Sequence, residues 1–271
     1  MTPESSGFDG LSGAGDDATA APAVPAGIRT VPPRSSSATR LVLIRHGEAV
    51  CNVSGVCGGP LGCNGLTELG RRQVEALRDR LQLTGELAGT DVLYASVLPR
   101  ALETAELVAP ALVGTGPNGH PAPTPVPVPV TECGLCELHP GEADGLTWAQ
   151  FSERFGALDW DADPGQPIAP GGESWTGFVN RVAGALDGIV AEHAGRLVVV
   201  ACHAGVVEAS LLAKLPVAGG LEGARLQLRT QHASMTTWEI EAGHWRLLGY
   251  NDAAHEMVLQ MATAEALAQQ A

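Results

Sequence analysis

An arginine and a histidine directly follow an apolar run, and side chains of these types can bind a phosphoryl group and react with it. Residues 41–44 read Leu-Val-Leu-Ile, and Arg45, His46 and Gly47 come next. Arginine offers a planar, permanently charged fork suited to phosphate, and histidine can act near neutral pH as a nucleophile or a proton carrier. Gly47 lets the backbone turn sharply after them. Taken alone, the stretch fits equally well a strand that happens to end in polar residues.

These side chains can act together only if the fold brings several strand ends to one place. The unalternating run 41–44 predicts a strand buried on both faces, as in a parallel sheet. Residues 91–96 predict a second strand just before Arg100, and residues 197–201 predict a third that leads into His203. In open α/β sheets the ligand site lies beyond the carboxyl ends of the strands. If the three strands are neighbours, two arginines and two histidines converge on one rim, where they could bind, attack and stabilise a phosphoryl group.

The segments between these strands carry apolar residues at helical spacing. Strands that alternate with helices indicate an α/β fold, which we expect to be a three-layer αβα sandwich with a mostly parallel central sheet. A loop is expected over 50–64. The predicted helices cover 67–85, 98–112, 147–155, 174–193 and 206–215, with one more at the C-terminus. Alternating patterns predict antiparallel strands over 225–230, 234–241 and 245–250.

Composition shifts mark the expected domain boundaries. Residues 1–39 are rich in Ser, Gly, Ala and Pro and predict a disordered N-terminal tail, which lacks the regions of a secretory signal. Residues 114–130 predict a Pro-rich surface insert with an extended path, because repeated proline excludes a central strand. Residues 40–271 are then expected to form one domain.

The charge balance limits the class of partner. The chain has 271 residues, with 30 acidic against 16 basic and a formal net charge of −14. This argues against nucleic acid or an anionic membrane as a general partner, since both would be repelled. A local arginine cluster can still bind a small anionic substrate, because a diffuse field is screened. No apolar stretch reaches the length of a membrane span, and we expect a cytoplasmic location in which the six cysteines remain thiols.

One cysteine pair has the spacing of zinc and redox sites. Cys133 and Cys136 are separated by two residues, but a second such pair is missing, because Cys57 and Cys63 lie too far apart in sequence. A pair of ordinary thiols is therefore the preferred interpretation, and we expect no metal and no cofactor.

Together, the motifs resemble those of the histidine phosphatase superfamily, also called phosphoglycerate mutase-like, and in particular its cofactor-independent phosphatase branch. The matching segments run in family order and are 43–48, Asn52, 66–70, 96–105, 136–145, 171–174 and 203–205. The resemblance implies a phosphoglycerate mutase-like fold. It also implies metal-independent hydrolysis of a phosphate monoester of a small metabolite through a phosphohistidine intermediate.

The resemblance also implies a role for each candidate site residue. His46 would be the nucleophile, and Glu137 would first protonate the leaving oxygen and then activate water. Glu132, Glu142 and Asp144 compete with Glu137 as the acid, although the family spacing favours Glu137. The phosphoryl pocket would be completed by Arg45, Arg100, His203, Asn52 and the amide of Ala204.

Other polar residues of the matched segments have less defined roles. His139, His232 and His255 are interpreted as structural or substrate-rim residues, and Glu173 as a structural carboxylate that pairs with an arginine or with backbone amides.

Two alternative functions remain open: a phosphomutase of the phosphoglycerate mutase type, and a non-catalytic phosphoryl-binding regulatory protein. A short segment 145–170 and the sequence His-Ala-Gly at 203–205 favour a phosphatase, and the presence of a leaving-group acid counts against a mere binder. The expected partner is a small phosphorylated substrate, and a homodimer is possible. The substrate stays open, because the loop 55–65 lacks the arginine and acid usual in the family, which would suit a leaving group less polar than a sugar acid.

Overall fold

A mixed sheet forms the centre of the molecule in a computed structural model that describes residue 32 and residues 34–114, 125–214 and 228–256. Its strands are Thr39–Arg45 (β1), Val92–Ala95 (β2), Val130–Thr131 (β3), Leu197–Cys202 (β4), Met235–Glu241 (β5) and His244–Asp252 (β6). They lie in the order β3-β2-β4-β1-β5-β6. The pairs β3–β2, β2–β4 and β4–β1 are parallel, whereas β1–β5 and β5–β6 are antiparallel. The predicted, mostly parallel sheet is confirmed.

Helices cover both faces of this sheet. Their bounds are Val50–Ser54 (α1), Glu68–Thr84 (α2), Pro99–Val108 (α3), Trp148–Phe155 (α4), Trp175–Glu192 (α5) and Ala204–Lys214 (α6). Successive side chains of β1 point to opposite faces, as strand geometry requires. Val42 and Ile44 pack in one core cluster with residues of α2 and α3, whereas Leu41 and Leu43 pack in a second cluster with residues of α5 and α6. The two clusters confirm the three-layer arrangement.

The strand register places the carboxyl ends of β1, β2 and β4 side by side at one edge of the sheet. Arg45 at the end of β1 lies beside Cys202 at the end of β4, and Ala95 at the end of β2 lies beside Ala201. The residues that follow these three strands therefore leave the sheet at the same edge, as the sequence pattern predicts.

Several local predictions differ from the structure. The predicted loop 50–64 begins with helix α1, because the side chain of Asn52 accepts a hydrogen bond from the amide of Ala49 and Gly55 ends the turn in the left-handed region. The predicted strand 225–230 is wrong over 228–230, which form no strand, and its first residues lie outside the described ranges.

Other predictions fall largely outside the described ranges. These are the tail up to residue 33 apart from residue 32, most of the insert between 115 and 124, and the C-terminal helix beyond residue 256. At the end of the insert, Val130 begins β3 at the edge of the sheet. Ser37, within the predicted tail, donates a hydrogen bond to Glu241 at 2.6 Å. None of the described helices is both long and apolar enough to span a bilayer.

Candidate active site

His46 is fixed where β1 ends. Its amide donates to the carbonyl of Cys202 at 2.9 Å, which extends the parallel ladder by one residue, and the side chain is 3% exposed. The backbone at Gly47, the next residue, then packs closely against the first turn of α2. A Cβ on Gly47 would lie 2.4 Å from the carbonyl oxygen of Gly70, so only glycine permits this close approach.

The hydrogen bonds of His46 define which ring nitrogen is free to react. Nδ1 lies 2.6 Å from the carbonyl oxygen of Gly47, and because a carbonyl only accepts, Nδ1 carries the proton. Nε2 therefore holds a lone pair, to which Nε of Arg100 donates at 3.1 Å. Burial, together with the charges of Arg100 and Arg45, holds the pKa of His46 well below its ordinary value. The imidazole is thus neutral, with a nucleophilic nitrogen.

Two guanidinium groups converge on this imidazole. Arg100 comes from the first turn of α3, and its Nη1 donates to the carbonyl of Gly58 at 2.7 Å. Arg45 donates to the carbonyl of Thr230, and its Nε is buried without a hydrogen-bond partner among the described residues. Burial lowers the pKa of Arg45 most, and the carboxylate of Glu137 opposes this effect. The pair forms a concentrated positive charge suited to an oxyanion.

His203 follows β4 and lies beside His46. The two ring centroids are 5.2 Å apart, and His203 is fully buried. Its Nε2 is 2.8 Å from Oγ of Ser96, whereas its Nδ1 has no hydrogen-bond partner in the described part of the chain. Burial and the nearby charge of Arg100 hold the pKa of His203 well below its ordinary value. His203 is therefore neutral in the unliganded protein and keeps one ring nitrogen available.

Glu137 lies against the first turn of α6. This helix begins at Ala204, and first-turn amides have no acceptor within their own helix. The amide of Gly205 donates to Oε2 of Glu137 at 3.2 Å, and the amide of Leu138 donates to Oε1 at 3.1 Å. A Cβ on Gly205 would lie 2.2 Å from Oε1, so the close approach of the carboxylate requires glycine at this position.

An arginine of α5 fixes the segment that carries Glu137. Nη2 of Arg181 lies 2.7 Å from Oε2 of Glu173, and Nε donates to Oε1 of the same carboxylate at 2.8 Å. Burial raises the pKa of Glu173, but bonds from Arg181 and the amide of His139 more than offset this and leave it below its ordinary value. The expectation that Glu173 is a structural carboxylate is confirmed by these contacts. Arg181 also donates to the carbonyls of Cys133, Gly134, Cys136 and Glu137.

The competing acids are engaged elsewhere. Asp144 accepts hydrogen bonds from the amides of Leu61 and Gly62. Glu132 accepts from the amide of Gly134, and Glu142 pairs with Arg154. Among the described residues that line the cavity beside His46, Glu137 is the one carboxylate.

This cavity has a volume of about 390 Å³ and two kinds of wall. Its polar wall consists of Arg45, His46, Asn52, Arg100 and Glu137. The rest of the lining is largely apolar and includes Val56, Leu138, Pro140, Trp148, Trp160, Ile168 and Trp175. His203 and Ala204 are not among the residues that line this cavity. The cavity is large enough for a small phosphate ester.

The structure places at the site a histidine that was interpreted from the sequence as a structural or substrate-rim residue. Nε2 of His232 lies 2.9 Å from Nη2 of Arg45 and 3.2 Å from Oδ1 of Asn52. Because arginine only donates, His232 accepts from Arg45. Burial and the charge of Arg45 lower the pKa of His232 to about 4. No local sequence signal marks this residue, since its position follows from the antiparallel pairing of β5 with β1.

His139 lies beside the pair Cys133 and Cys136, which were interpreted from the sequence as ordinary thiols. Nε2 of His139 lies 3.7 Å from Sγ of Cys133, which in turn lies 3.8 Å from Sγ of Cys136. All six cysteines are free thiols.

Comparisons with known proteins identify similar chains. A curated metal-independent phosphoserine phosphatase from Arabidopsis thaliana is 30% identical over 224 residues, which cover 79% of this chain and 87% of that protein. A 2,3-bisphosphoglycerate-dependent phosphoglycerate mutase from Thermoplasma acidophilum is 28% identical and covers 77% of this chain and 90% of that protein.

A solved structure of a mycobacterial glucosyl-3-phosphoglycerate phosphatase in complex with VO₃ superposes with a TM-score of 0.60 at 31% identity. The alignment covers 78% of this chain and 98% of that chain. The sequence profile of the histidine phosphatase superfamily (branch 1) matches residues 41–253. The chain therefore belongs to the histidine phosphatase superfamily, branch 1, and is a phosphatase of that superfamily.

Proposed function

We propose that this phosphatase hydrolyses a phosphate monoester of a small metabolite through a phosphohistidine at His46, without a metal ion. The observation that carries the proposal is the state of the His46 imidazole. Its Nδ1 proton is held by the carbonyl of Gly47, so the lone pair of Nε2 faces the cavity between Arg45 and Arg100. A neutral, fixed nitrogen beside two guanidiniums is suited to attack phosphorus.

In the first step, Nε2 of His46 attacks the phosphorus atom as the bond to the ester oxygen breaks. The two arginines neutralise the charge on the equatorial oxygens, and binding of a dianion draws Arg100 from the lone pair of His46. Glu137, which lies on the same cavity, gives a proton to the leaving oxygen. The products are phosphohistidine, a free alcohol and the Glu137 carboxylate.

In the second step, water attacks phosphorus from the side that the alcohol has left. Glu137 takes a proton from this water, the bond between phosphorus and Nε2 breaks, and inorganic phosphate leaves. Glu137 therefore returns to its protonated state and His46 to its neutral one. The cycle needs no metal, because the arginines supply the positive charge and the carboxylate carries the proton.

His203 and the first turn of α6 complete the proposed oxyanion site. A bound phosphoryl dianion raises the pKa of His203, since it offsets the positive charge of the arginines. The unpartnered Nδ1 of His203 can then donate to a phosphoryl oxygen. The amide of Ala204 and the side chain of Asn52 are the further donors.

A phosphatase is favoured over the two alternatives. Relatives named as phosphatases are found both among curated proteins and among solved structures, and Glu137 has no function in a mere phosphoryl binder. The mutase of Thermoplasma acidophilum shares the fold, so phosphate transfer to a second hydroxyl is the outcome that would support the mutase alternative.

The proposal is tested by trapping the intermediate. We expect wild-type protein in EDTA to hydrolyse p-nitrophenyl phosphate, and a rapid quench with base to retain one acid-labile phosphoryl group per chain. His46→Ala should abolish both signals. His244→Ala is the matched control, because His244 is exposed at the first position of β6 and the substitution should leave both signals unchanged. Turnover that survives in His46→Ala, or that disappears from wild type in EDTA, would overturn the mechanism.

A further inference from the structure

We infer that the substrate of this site carries an uncharged, apolar alcohol, with an aromatic ring or a hydrocarbon group next to the phosphate. This inference rests on the proposed function and concerns only the group that leaves. It follows from the apolar part of the cavity that His46 also lines, which consists of aliphatic side chains and three tryptophans, Trp148, Trp160 and Trp175.

Two of the tryptophans are held in place before any substrate binds. The rings of Trp160 and Trp175 are stacked, with centroids 5.8 Å apart and planes inclined by 29°. The indole of Trp160 donates to the carbonyl of Gln166 at 2.8 Å, and Trp175 packs on Phe178 with centroids 5.4 Å apart. A fixed aromatic surface binds an apolar group with little loss of side-chain entropy.

The charges of the cavity disfavour an acidic alcohol. Among the described residues that line it, the cationic side chains are Arg45 and Arg100, and both face the phosphoryl position. A carboxylate on the alcohol would lie near Glu137 and the tryptophans without a cation to pair with. Transfer of an unpaired charge from water to such a surface is costly. Phosphoserine and 3-phosphoglycerate are therefore expected to be poor substrates.

The sequence of the neighbouring loop agrees with this wall. Val56, Gly58 and Gly59 line the cavity, and the loop 55–65 contains no charged residue. Val56 is half-buried and its backbone forms an isolated bridge with Thr147, which precedes α4 and Trp148. The backbone bridge thus connects the loop 55–65 to the segment that carries Trp148, and both contribute apolar surface to the cavity.

The test compares esters of primary alcohols that differ in the attached group. We expect kcat/KM for 2-phenylethyl phosphate to exceed the values for O-phosphoserine and 3-phosphoglycerate by at least about 10-fold, the scale of discrimination by an apolar pocket. Phosphocholine serves as the cationic competitor, because a tryptophan wall can also bind a quaternary ammonium group.

Substitutions in the wall separate binding of the alcohol from binding of phosphate. Trp160→Ala should lower kcat/KM for 2-phenylethyl phosphate by about 10-fold and leave competitive inhibition by inorganic phosphate unchanged. Trp148→Ala, at a position 52% exposed, is a second variant that should fold normally. Trp245→Ala on β6, outside the cavity lining, is the matched control.

The outcomes distinguish this inference from the proposed function. If O-phosphoserine, 3-phosphoglycerate or phosphocholine is hydrolysed as well as 2-phenylethyl phosphate, or if Trp160→Ala and Trp148→Ala change nothing, the apolar substrate class is wrong while the phosphohistidine mechanism stands. If no ester is hydrolysed and p-nitrophenyl phosphate leaves no phosphohistidine, the proposed function itself fails.

A second observation, independent of the reaction, concerns Cys133, Cys136 and His139. We propose that these side chains form a binding site for a thiophilic divalent metal such as Zn²⁺. Their three donor atoms lie within 4.8 Å of one another, with Sγ to Sγ at 3.8 Å and Sγ of Cys133 to Nε2 of His139 at 3.7 Å. Zinc bonds of ~2.3 Å to sulfur and ~2.0 Å to nitrogen give tetrahedral edges of ~3.8 Å and ~3.5 Å. Two of the three unliganded spacings thus nearly match the edges of a zinc tetrahedron, and the third lies within 4.8 Å.

The surroundings also fit a metal ligand set. Nδ1 of His139 lies 3.6 Å from Oε2 of Glu173, so a small shift would let this carboxylate orient the imidazole, as carboxylates do for metal-binding histidines. Cys133 is exposed, which gives an ion a path of entry and leaves the fourth position to water. The bound metal would link Cys133, Cys136 and His139 to one another and would take no part in the reaction.

Cobalt substitution tests this site without reference to activity. Full-length protein, stripped with EDTA and kept reduced, should bind one Co²⁺ with the visible and thiolate charge-transfer bands of a tetrahedral sulfur site, and Zn²⁺ should displace it. Cys133→Ser and His139→Ala should lose these bands, whereas the matched thiol control Cys57→Ser should keep them. Absence of the bands in reduced wild type, or their persistence in Cys133→Ser, would show that the residues are only neighbouring thiols.

Discussion

Nε of Arg100 donates a hydrogen bond to Nε2 of His46 at 3.1 Å. The same guanidinium therefore fixes the orientation of the imidazole and disfavours its protonation. In the proposed mechanism, a cation so close to the lone pair keeps the imidazole neutral until an anionic substrate binds. We propose that Arg100 also binds the phosphoryl group, so that a bound substrate would draw the guanidinium away from the lone pair of His46.

The first prediction concerns the pH dependence of the free enzyme. The pKa of His46 is held well below its ordinary value of 6.5 by burial, Arg100 and Arg45. The nucleophile is active when neutral, so kcat/KM should not fall on account of His46 until the pH drops well below 6.5. A pH profile of kcat/KM, corrected for ionisation of the substrate, checks this. A loss of activity centred near pH 6.5 that follows His46 in an NMR titration would contradict it.

The second prediction is that Arg100→Gln moves this acidic limb to higher pH. Removal of a neighbouring positive charge raises the pKa of His46, so protonation begins nearer neutrality. Activity at the optimum should also fall by ~100-fold, since one phosphoryl ligand is lost. Arg71→Gln is the matched control, because Arg71 is half-exposed and pairs with Glu103 outside the cavity lining. An unchanged limb in Arg100→Gln would disprove the electrostatic coupling.

The third prediction separates acid catalysis from phosphoryl binding. Glu137→Gln keeps the shape of the side chain but removes its proton. We expect kcat/KM to fall by ~100-fold or more for an alkyl phosphate, whose alcohol must be protonated as it leaves, and by much less for p-nitrophenyl phosphate. Steady-state kinetics of wild type and Glu137→Gln with both esters measures the two losses in kcat/KM. Equal losses for the two esters would assign another role to Glu137.

The sequence predicted most of the residues that gather at the candidate site, because they follow directly on buried strands. Arg45, His46 and His203 lie at the ends of β1 and β4, and the parallel register brings these ends level. The position of His232 was not predictable, since it depends on the pairing of the C-terminal hairpin with β1. Arg181 was also missed, because its contacts with the carbonyls before Glu137 arise from the packing of α5 and leave no local pattern.

The aromatic wall shows a similar limit of sequence reasoning. Trp148 and Trp175 begin two different helices, and Trp160 lies in the loop between them. Their spacing in sequence indicates no common surface, although all three line one cavity. Only the loop 55–65, which lacks charged residues, suggested a less polar leaving group from the sequence.

The fourth prediction concerns stability and a buried cation. Arg80 lies 2.8 Å from Oε1 of Glu86 and 2.7 Å from Oδ2 of Asp252. Burial raises the pKa of Asp252, but hydrogen bonds and charge from Arg80 more than offset this and keep it below 3.8. Asp252→Asn should lower the free energy of unfolding at pH 7 by about 1–3 kcal/mol, the range for hydrogen bonds to charged groups.

The sign of the pH effect follows from the depressed pKa of Asp252. A carboxyl that ionises more easily in the folded state contributes its stability above its ordinary pKa, and this contribution is lost as the pH falls through the folded value. The difference between wild type and Asp252→Asn should therefore be full at pH 7 and shrink below pH ~4. Urea unfolding of both proteins at pH 7 and at a pH below ~4 measures this difference in the free energy of unfolding. Asp79→Asn, whose side chain is 65% exposed, should change stability by less than ~0.5 kcal/mol.

The fifth prediction uses two helical glycines to test the position of the acid. In Gly205→Ala the new Cβ would lie 2.2 Å from Oε1 of Glu137, so the carboxylate must move and turnover of alkyl phosphates should fall by ~10-fold or more. Gly188→Ala on α5 meets no atom within 4 Å and should keep full activity while raising stability by about 0.5–1 kcal/mol. Alkyl phosphate kinetics and urea unfolding of both variants measure these effects. If Gly205→Ala turns over alkyl phosphates as fast as Gly188→Ala, the amide of Gly205 does not set the position of the acid.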